Sequence, residues 1–387
     1  MLRRLRGPGA DEIAILCRPE AGSQDVPRQA DAAYRALASA LSSHRTSFRD
    51  LATEKLFLRD IRRDLPVVLG ERTRVLTELG QAGCAPSPAF IQQAPLDGGA
   101  AFEVMVSAVV PRDRGAWAVR DVRPEPSCSC EGCTRTGARL IRLGDQISLQ
   151  TTNLYGGGGD AYEQAWEMFR TAAGLLDRCG MSFRDVVRTW IHLRDIDRDY
   201  DALNAARREF FQHAGIDRLP ASTGVEGIPF PDRHDVSLSV HALKSSQPLD
   251  VTRMSTPFLN EAWSYGADFS RGLRLVEANK VMLHVSGTAS IDEAGRTAHV
   301  GEFQAQAERM MENLESLLAR QGATFDDLIC GVTYLKRPSD APALRAIYQG
   351  RRFEGFPCAL VEARLCRPEL LCEAEVVAML PRAPEGA

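Results

Sequence analysis

Three stretches of this 387-residue chain follow one pattern: FRDLATEKLFLRDIRRDL from Phe48, FRDVVRTWIHLRDIDRDY from Phe183 and FDDLICGVTYLKRPSDAP from Phe325. In each, an Asp follows two residues after the Phe (Asp50, Asp185, Asp327) and a basic residue eleven after it (Arg59, Arg194, Lys336). The steps between copies are 135 and 142 residues, a whole domain's length and far beyond that of a solenoid repeat. A chain this long also exceeds the roughly 250–300 residues that one hydrophobic core serves. Three units of one design are therefore the reading that length and spacing share.

The flanks repeat as well. Upstream of the markers lie RQADAAYRALASALSSH, YEQAWEMFRTAAGLLDRCG and FQAQAERMMENLESLLARQG, with apolar residues at helical spacing, as in Ala307, Met310, Met311, Leu314, Leu317 and Leu318. Gly180 and Gly322 stand where the second and third of these helices should stop. The markers continue into an alternating strand, a second helix (YDALNAARREFFQHAG, APALRAIYQGRRF), a Pro-containing loop and a closing strand: AFEVMVSAVVP, DVSLSVHAL or LLCEAEVVAML. Copies two and three open on hairpins, ARLIRLGDQISLQTTN and LRLVEANKVMLHVSGTAS, while copy one shows a single opening strand, DEIAILCRP. The expected fold class is α+β, with β-β-α-β-α-β units at 10–115 (degenerate), 137–245 and 253–382, and a Cys- and Pro-bearing linker at 116–136. Two helices cover one face of each sheet and the other face must be buried. Three such faces in one chain can cover one another, which predicts a covalent pseudotrimer around a central barrel-like core.

Composition excludes several classes of function. Charged residues at 25% and hydrophobic ones at 44% describe an ordinary globular protein, and a net charge of -4 leaves no basic footprint for nucleic acid. No stretch approaches the roughly 20 apolar residues of a membrane helix. The start, MLRRLRGPGADEIAILC, lacks the apolar centre of a secretory signal, so a cytoplasmic protein with no membrane partner is expected. Most of the ten cysteines sit singly in apolar runs and read as reduced core residues.

The third copy carries a resemblance. VSGTASIDEAGRTAHVGEFQAQAERMMENLESLLARQGATFDDLICGVTYLKRPSDAPALRAIY, with CEAEVVAML, resembles the Rid (YjgF, reactive-intermediate deaminase) superfamily. The likeness extends to LRDIDRDYDALNAARREFF in copy two and weakly to copy one. It implies a chorismate-mutase-like fold assembled as a trimer with ligand clefts between neighbouring units, and here all three units lie in one chain. A monomer is therefore expected, with an exposed face that could still dimerise. In the deaminating branch an Arg clamps the substrate carboxylate and a Glu of a closing E-x-E positions water. This chain keeps that Glu as Glu373, but Cys358 and Ala359, Ser222, and SPAFIQ stand where the clamp would fall in the three copies. SGTASI, YGADFSRG and CRPELLCEAE also resemble the chorismatases, a branch with tandem Rid-like domains. That resemblance makes Glu373 the acid that protonates an enol ether and Cys366 the cysteine that separates one product type from another.

The candidate catalytic residues are thus Glu373 and Cys366. Substrate-binding candidates are Arg364 and Arg367, which lie on the same final segment, the Ser286, Gly287 and Thr288 cradle, and Tyr265, Asn204 and Tyr348 at positions matching the family cleft. Each has a plainer reading. Glu373 can be an exposed or ion-paired strand carboxylate, Cys366 a buried thiol, the cradle a strand end with turn-forming residues, and Tyr348 a core aromatic. The expected partner is a small carboxylate-bearing molecule, changed by hydrolysis or proton transfer at an enamine, imine or enol ether. A chorismatase acting on chorismate is the alternative enzyme, and a non-catalytic binding protein the alternative class. No cofactor is expected. SCSCEGC groups Cys128, Cys130 and Cys133, but tetrahedral zinc takes four ligands and no second CxxC or HxxxH is visible, so the expectation is a reduced linker and no metal. GGGG at 156–159 lacks the Lys-Ser/Thr of a phosphate loop, and His192 alternates with Trp190 as a core or cleft residue would.

Overall fold

The structure, a computed structural model, describes residues 1–7, 9–19, 25–96, 99–277 and 280–382, without the side chains of 264 and 265. The first unit contains β1 (Leu2–Leu5), β2 (Ala10–Cys17), α1 (Val26–Ser43), β3 (Leu51–Leu58), α2 (Ile61–Glu78), β4 (Ala89–Gln92) and β5 (Phe102–Pro111). Next come β6 (Trp117–Val122), α3 (Glu131–Arg135), β7 (Ala138–Leu143), β8 (Gln146–Thr151), α4 (Ala161–Arg178), β9 (Val186–Leu193), α5 (Ile196–His213), β10 (Ala221–Glu226) and β11 (Val236–Ser245). The last set is β12 (Asp250–Arg253), β13 (Gly272–Val276), β14 (Lys280–Ala289), α6 (Phe303–Ala319), β15 (Leu328–Leu335), α7 (Ala341–Arg351), β16 (Cys358–Glu362) and β17 (Cys372–Pro381).

These strands form three sheets with equivalent orders, β1-β2-β5-β3-β4, β10-β9-β11-β8-β7-β6 and β12-β13-β14-β17-β15-β16. The apolar closing strand of each unit runs down the middle, and the last short strand pairs in parallel with the marker strand. Copy one does have a second opening strand: Leu2–Leu5 pairs antiparallel with β2. Its two arginines hide it from a hydrophobicity reading. Arg4 bonds Asp11 on the adjacent strand at 2.7 Å and Arg3 donates to the Asp326 carbonyl of the third unit, so a charged edge strand is stabilised by pairing. Within the stretch read as a linker, Trp117–Val122 adds the edge strand β6 to the second sheet.

The recurring Phe-x-Asp is a one-turn helix leading into the marker strand. Phe48, Phe183 and Phe325 are buried in their unit cores, while Asp50, Asp185 and Asp327 accept the backbone N–H of Ser47, Ser182 and Thr324 at 3.2, 2.7 and 2.8 Å. This reciprocal capping satisfies groups a short turn would leave orphaned. The basic residue at the strand's far end donates to a carbonyl of the loop before the closing strand: Arg59 to Gly99, Arg194 to His234, Lys336 to Pro368. Gly180 and Gly322 end α4 and α6 with φ of +71° and +75°, a conformation Gly adopts at least cost.

α1 and α2, α4 and α5, and α6 and α7 cover the outer faces, each pair sealing its own apolar cluster. The inner faces meet around a cavity of about 220 Å³ lined by all three sheets. It is polar at one end, where Lys280 pairs with Glu12 and Gln146 donates to Glu277 at 3.0 Å. Among the described residues the strands form three sheets that do not close into one barrel.

Backbone pairs around the axis make the units cyclic. Gln92 and Ile228 exchange N–H···O bonds at 3.2 Å, Glu226 N–H reaches Arg364 O at 2.9 Å, and Glu362 N–H reaches Ala94 O at 2.9 Å. Each unit thus grips the next at the end of its last short strand, first to second, second to third and third to first. No helix among the described residues is long and apolar enough to cross a membrane, and all ten cysteines are free thiols.

Candidate active site

Successive odd-numbered residues of β17 face the inner side of the third sheet, where the second unit packs. Glu373 and Glu375 therefore point the same way and are both buried. Their surroundings differ. Glu375 accepts a hydrogen bond from Arg188 Nη2 at 2.6 Å and from Trp190 Nε1 at 2.8 Å, both on β9 of the second unit. Glu373, opposite Tyr334 in the ladder, accepts no hydrogen bond from any described residue. Burial, then the charge of Glu375, raise the Glu373 carboxyl to a pKa of about 8, with Arg271 and Arg188 pulling weakly the other way. Burial beside a second carboxylate favours the protonated form of this carboxyl, a condition for a general acid.

The wall around Glu373 comes from two units. β10 of the second unit lies against β14 of the third: Ser222 N–H donates to Ser286 Oγ at 2.9 Å and Gly287 N–H to Thr223 Oγ1 at 3.0 Å. Gly287 leaves room here: a Cβ would sit 1.9 Å from Glu373 Oε1, so the carboxyl would have to shift. The two flanking residues of the expected cradle are structural in their contacts. Ser286 Oγ also donates to Ser270 O at 2.5 Å and Thr288 Oγ1 donates to Ser286 O at 2.9 Å. Their hydroxyls pin the seam between units and Gly287 leaves the space beside the acid.

Cys366 packs between the cores of the second and third units. Burial and the neighbouring Glu373 push its thiol up to about 12, while Arg367, a hydrogen bond with Tyr200 and Arg271 act in the opposite direction. It is a neutral thiol beside the acid, without the depressed pKa a nucleophilic cysteine requires.

Positive charge enters from two residues the sequence analysis did not select. Arg271, just before β13, lies close enough to influence both Glu373 and Cys366, and Arg207 comes from α5 of the second unit. The two guanidinium groups stand over one ring, Phe269, at 5.8 and 5.7 Å from its centroid. Asn260 accepts from Arg271 through its backbone oxygen at 2.9 Å and its side chain at 3.3 Å, and Asn204 accepts from Arg207 Nη2 at 2.6 Å. Both arginines are buried. Paired guanidiniums held in fixed planes suit carboxylate groups. A signal for Arg207 exists in the sequence: it lies on the apolar stripe of α5, between Leu203 and Phe210, where a charged residue asks for a reason. Arg271 lies within YGADFSRG, the quoted motif.

Of the remaining candidates, Asn204 reaches this site as the positioner of Arg207. Arg364 instead forms ion pairs with Glu226, Asp197 and Asp195 at 2.5, 2.6 and 3.3 Å across the seam, and Arg367 donates to Gly295 O at 2.8 Å. Tyr348 bonds Thr333 at 2.7 Å. Thr333 pairs with Ala374, so Tyr348 lies on the helix-covered face of the sheet, opposite to Glu373. Tyr265 closes a one-turn helix, Ala262–Tyr265, but its side chain lies outside the described residues. Cys358, at the expected clamp position, contacts Thr333 on the same helix-covered side.

SCSCEGC, expected to be a reduced linker, meets a histidine in the fold. His234, on the loop between β10 and β11, brings its ring to the sulfurs of Cys128, Cys130 and Cys133.

Comparison with known proteins gives four findings. Residues 135–243 and 266–380, more than half of the chain, match the family described as Endoribonuclease L-PSP. A 3-hydroxybenzoate synthase of Streptomyces hygroscopicus is 26% identical over 235 residues, covering 53% of this chain and 66% of that protein. Protein DfrA of Myxococcus xanthus is 37% identical over 84 residues, covering 22% of this chain and 63% of that protein. The matches thus span just under two thirds of the length of these curated relatives. Among solved structures, a chorismatase crystal structure shares the fold with a TM-score of 0.61 at 15% identity, covering 97% of this chain and 99% of that one.

Proposed function

The chain belongs to the Endoribonuclease L-PSP family, matched in its second and third units, and from that premise we propose that it is a chorismatase-like enzyme cleaving chorismate to a hydroxybenzoate and pyruvate. The observation that carries this reading is the buried Glu373, its pKa raised by that burial, with Gly287 beside it and a pair of arginines at the same seam. The likeness to a 3-hydroxybenzoate synthase and the chorismatase fold support the choice of substrate.

An enol ether reacts when its methylene carbon takes a proton, which puts positive charge on the ether carbon. Glu373 supplies that proton, and the carboxylate it leaves stabilises the cation. Arg207 and Arg271 bind the two carboxylates of chorismate and fix the side chain against the acid. Collapse without water yields 3-hydroxybenzoate and pyruvate, which together have the composition of chorismate. Attack by water consumes one water and leaves a non-aromatic dihydroxy acid with pyruvate. Cys366 biases the outcome towards the first, because a neutral thiol is a weak hydrogen-bonding partner that holds water poorly next to the reacting carbon.

The loss of the deaminase clamp from its usual place argues against imine hydrolysis, and a net charge of -4 with a buried acid argues against a polynucleotide substrate. The test is incubation with chorismate while pyruvate is coupled to lactate dehydrogenase and aromatic products are separated by chromatography. Pyruvate with 3-hydroxybenzoate is the expected result. Ammonia release from a freshly generated enamine, with chorismate untouched, would favour deamination, and silence with both substrates a binding role.

A further inference from the structure

The cysteines of the segment between the first two units meet a histidine 101 positions beyond Cys133. Cys128, Cys130, Cys133 and His234 each offer a ligand atom, and these atoms all lie within 4.8 Å of one another. Cys130 Sγ is 3.1 Å and Cys133 Sγ 3.8 Å from His234 Nε2, and Cys133 Sγ is 3.3 Å from Cys128 Sγ. Sulfur and nitrogen ligands on a tetrahedral zinc lie about 3.4–3.8 Å from one another, given bonds near 2.3 and 2.0 Å. The observed separations bracket those values.

The surroundings are built for such a group. Cys130 caps α3, its sulfur receiving the Cys133 N–H at 3.4 Å, and the Cys128 sulfur receives the Cys130 N–H at 3.5 Å. Backbone N–H groups directed at sulfur favour the thiolate form. His234 is fully buried and stacked on Tyr155 at 4.4 Å, which fixes its ring plane with Nε2 towards the sulfurs. Gly132 lies so close to the 227–235 loop that a Cβ would stand 2.2 Å from Phe230 O, so the turn and the loop are pressed together.

We propose that Cys128, Cys130, Cys133 and His234 form a closed Cys3His site for one zinc ion. Three sulfurs and an imidazole are the donor set zinc prefers over hard cations, and four protein ligands leave no position for substrate, so the role is structural. Binding sends three thiol protons to solvent and uses the neutral imidazole. The ion ties the segment leaving the first unit to the loop whose Ile228 pairs with Gln92 and whose Phe230 packs on Phe90 at 6.2 Å. It therefore fastens the seam between units one and two, away from Glu373.

The full chain, purified with thiol reductant and without chelator, should carry about one zinc per chain by elemental mass spectrometry. Cobalt substitution should give the intense visible bands of a tetrahedral, sulfur-rich site. Cys130→Ser and His234→Ala should lose the metal and melt earlier. His234→Cys should keep it while the cobalt charge-transfer band strengthens, a result that stands even if the alanine variant misfolds. Chelator should lower the melting temperature of the native chain. Wild-type protein that takes up neither zinc nor cobalt, a Cys128–Cys133 disulfide in anaerobically purified protein, or His234→Ala with unchanged zinc and cobalt spectrum would each overturn the proposal. These readings concern metal content, so they are independent of whether chorismate is turned over.

Discussion

Glu103 and Glu373 hold the same place in two units and have opposite surroundings. Each is the second residue of its closing strand, opposite Phe57 and Tyr334 respectively, and each is buried. Arg18, just past β2, bonds Glu103 at 2.9 Å and reaches Cys358 O of the third unit at 2.8 Å. In the third unit β14, where its register with β17 shifts between Val285 and Thr288, offers Gly287 to Glu373. In the second unit the equivalent residue is Ser237, within reach of Asn153, whose other amide atom accepts from Phe90 N at 2.8 Å. One frame thus yields a strut, an acid and a polar plug. The difference lies in what surrounds the two carboxylates: Arg18 bonds Glu103, whereas Glu373 accepts no hydrogen bond from a described residue and burial raises its pKa.

The sharpest way to break this contrast is to exchange the charges. Glu373→Gln should lower turnover of chorismate by about 10³-fold while leaving the fold intact, whereas Glu103→Gln should leave kcat unchanged and cost about 1 kcal/mol of stability, because a neutral amide replaces the carboxylate in the bond from Arg18. Equal losses of activity in both would erase the distinction. Arg271→Ala or Arg207→Ala should reduce kcat/KM by about 10²-fold, chiefly through KM, as expected for groups that bind carboxylates. Gly287→Ala narrows the space that distinguishes the acid from the strut, and about a tenfold loss of kcat with little change in melting temperature is expected.

Proton linkage gives a subtler measure. Glu373 is held near 8 in the native state, above the roughly 4.3 of an unfolded chain. Between about pH 5 and 8 the folded protein holds a proton the unfolded one has released, so this group's contribution to stability falls as pH rises through that window and levels off above it. Glu373→Gln has no such proton, and its denaturant midpoint should rise relative to wild type from pH 5 to 9 and match it below pH 4. The kcat of wild type should decline above pH 8. The smallest effect on rate belongs to Cys366→Ala, expected within a few-fold of wild type but with product shifted towards the dihydroxy acid.

The architecture is largely legible in the sequence because capping geometry is local. Phe, Asp and the basic residue recur at fixed spacing since each satisfies groups within its own unit. Glu373 and Cys366 are legible by resemblance, and the structure puts them at one seam. What escapes is whatever needs two units. Arg207 and Arg271 converge on Phe269 from a helix of one unit and a loop of the next. His234 joins its cysteines only after the second unit folds. β1 escapes for another reason: its leucines alternate with nothing apolar, and its arginines are neutralised by Asp11 and by the third unit's backbone.

The cyclic seams also impose a schedule on synthesis. Two of them link neighbouring units in the chain, but the third joins Leu96 to Leu360 and Ala94 to Glu362, partners 264 and 268 residues apart. At about 5–20 residues per second, the first unit waits for tens of seconds with its short edge strand bare and the face destined for the third unit wet. A bare strand edge is where a second nascent chain can pair. The ring therefore closes slowly, and the stretch around β4 is the place where crowded expression would turn that delay into aggregation.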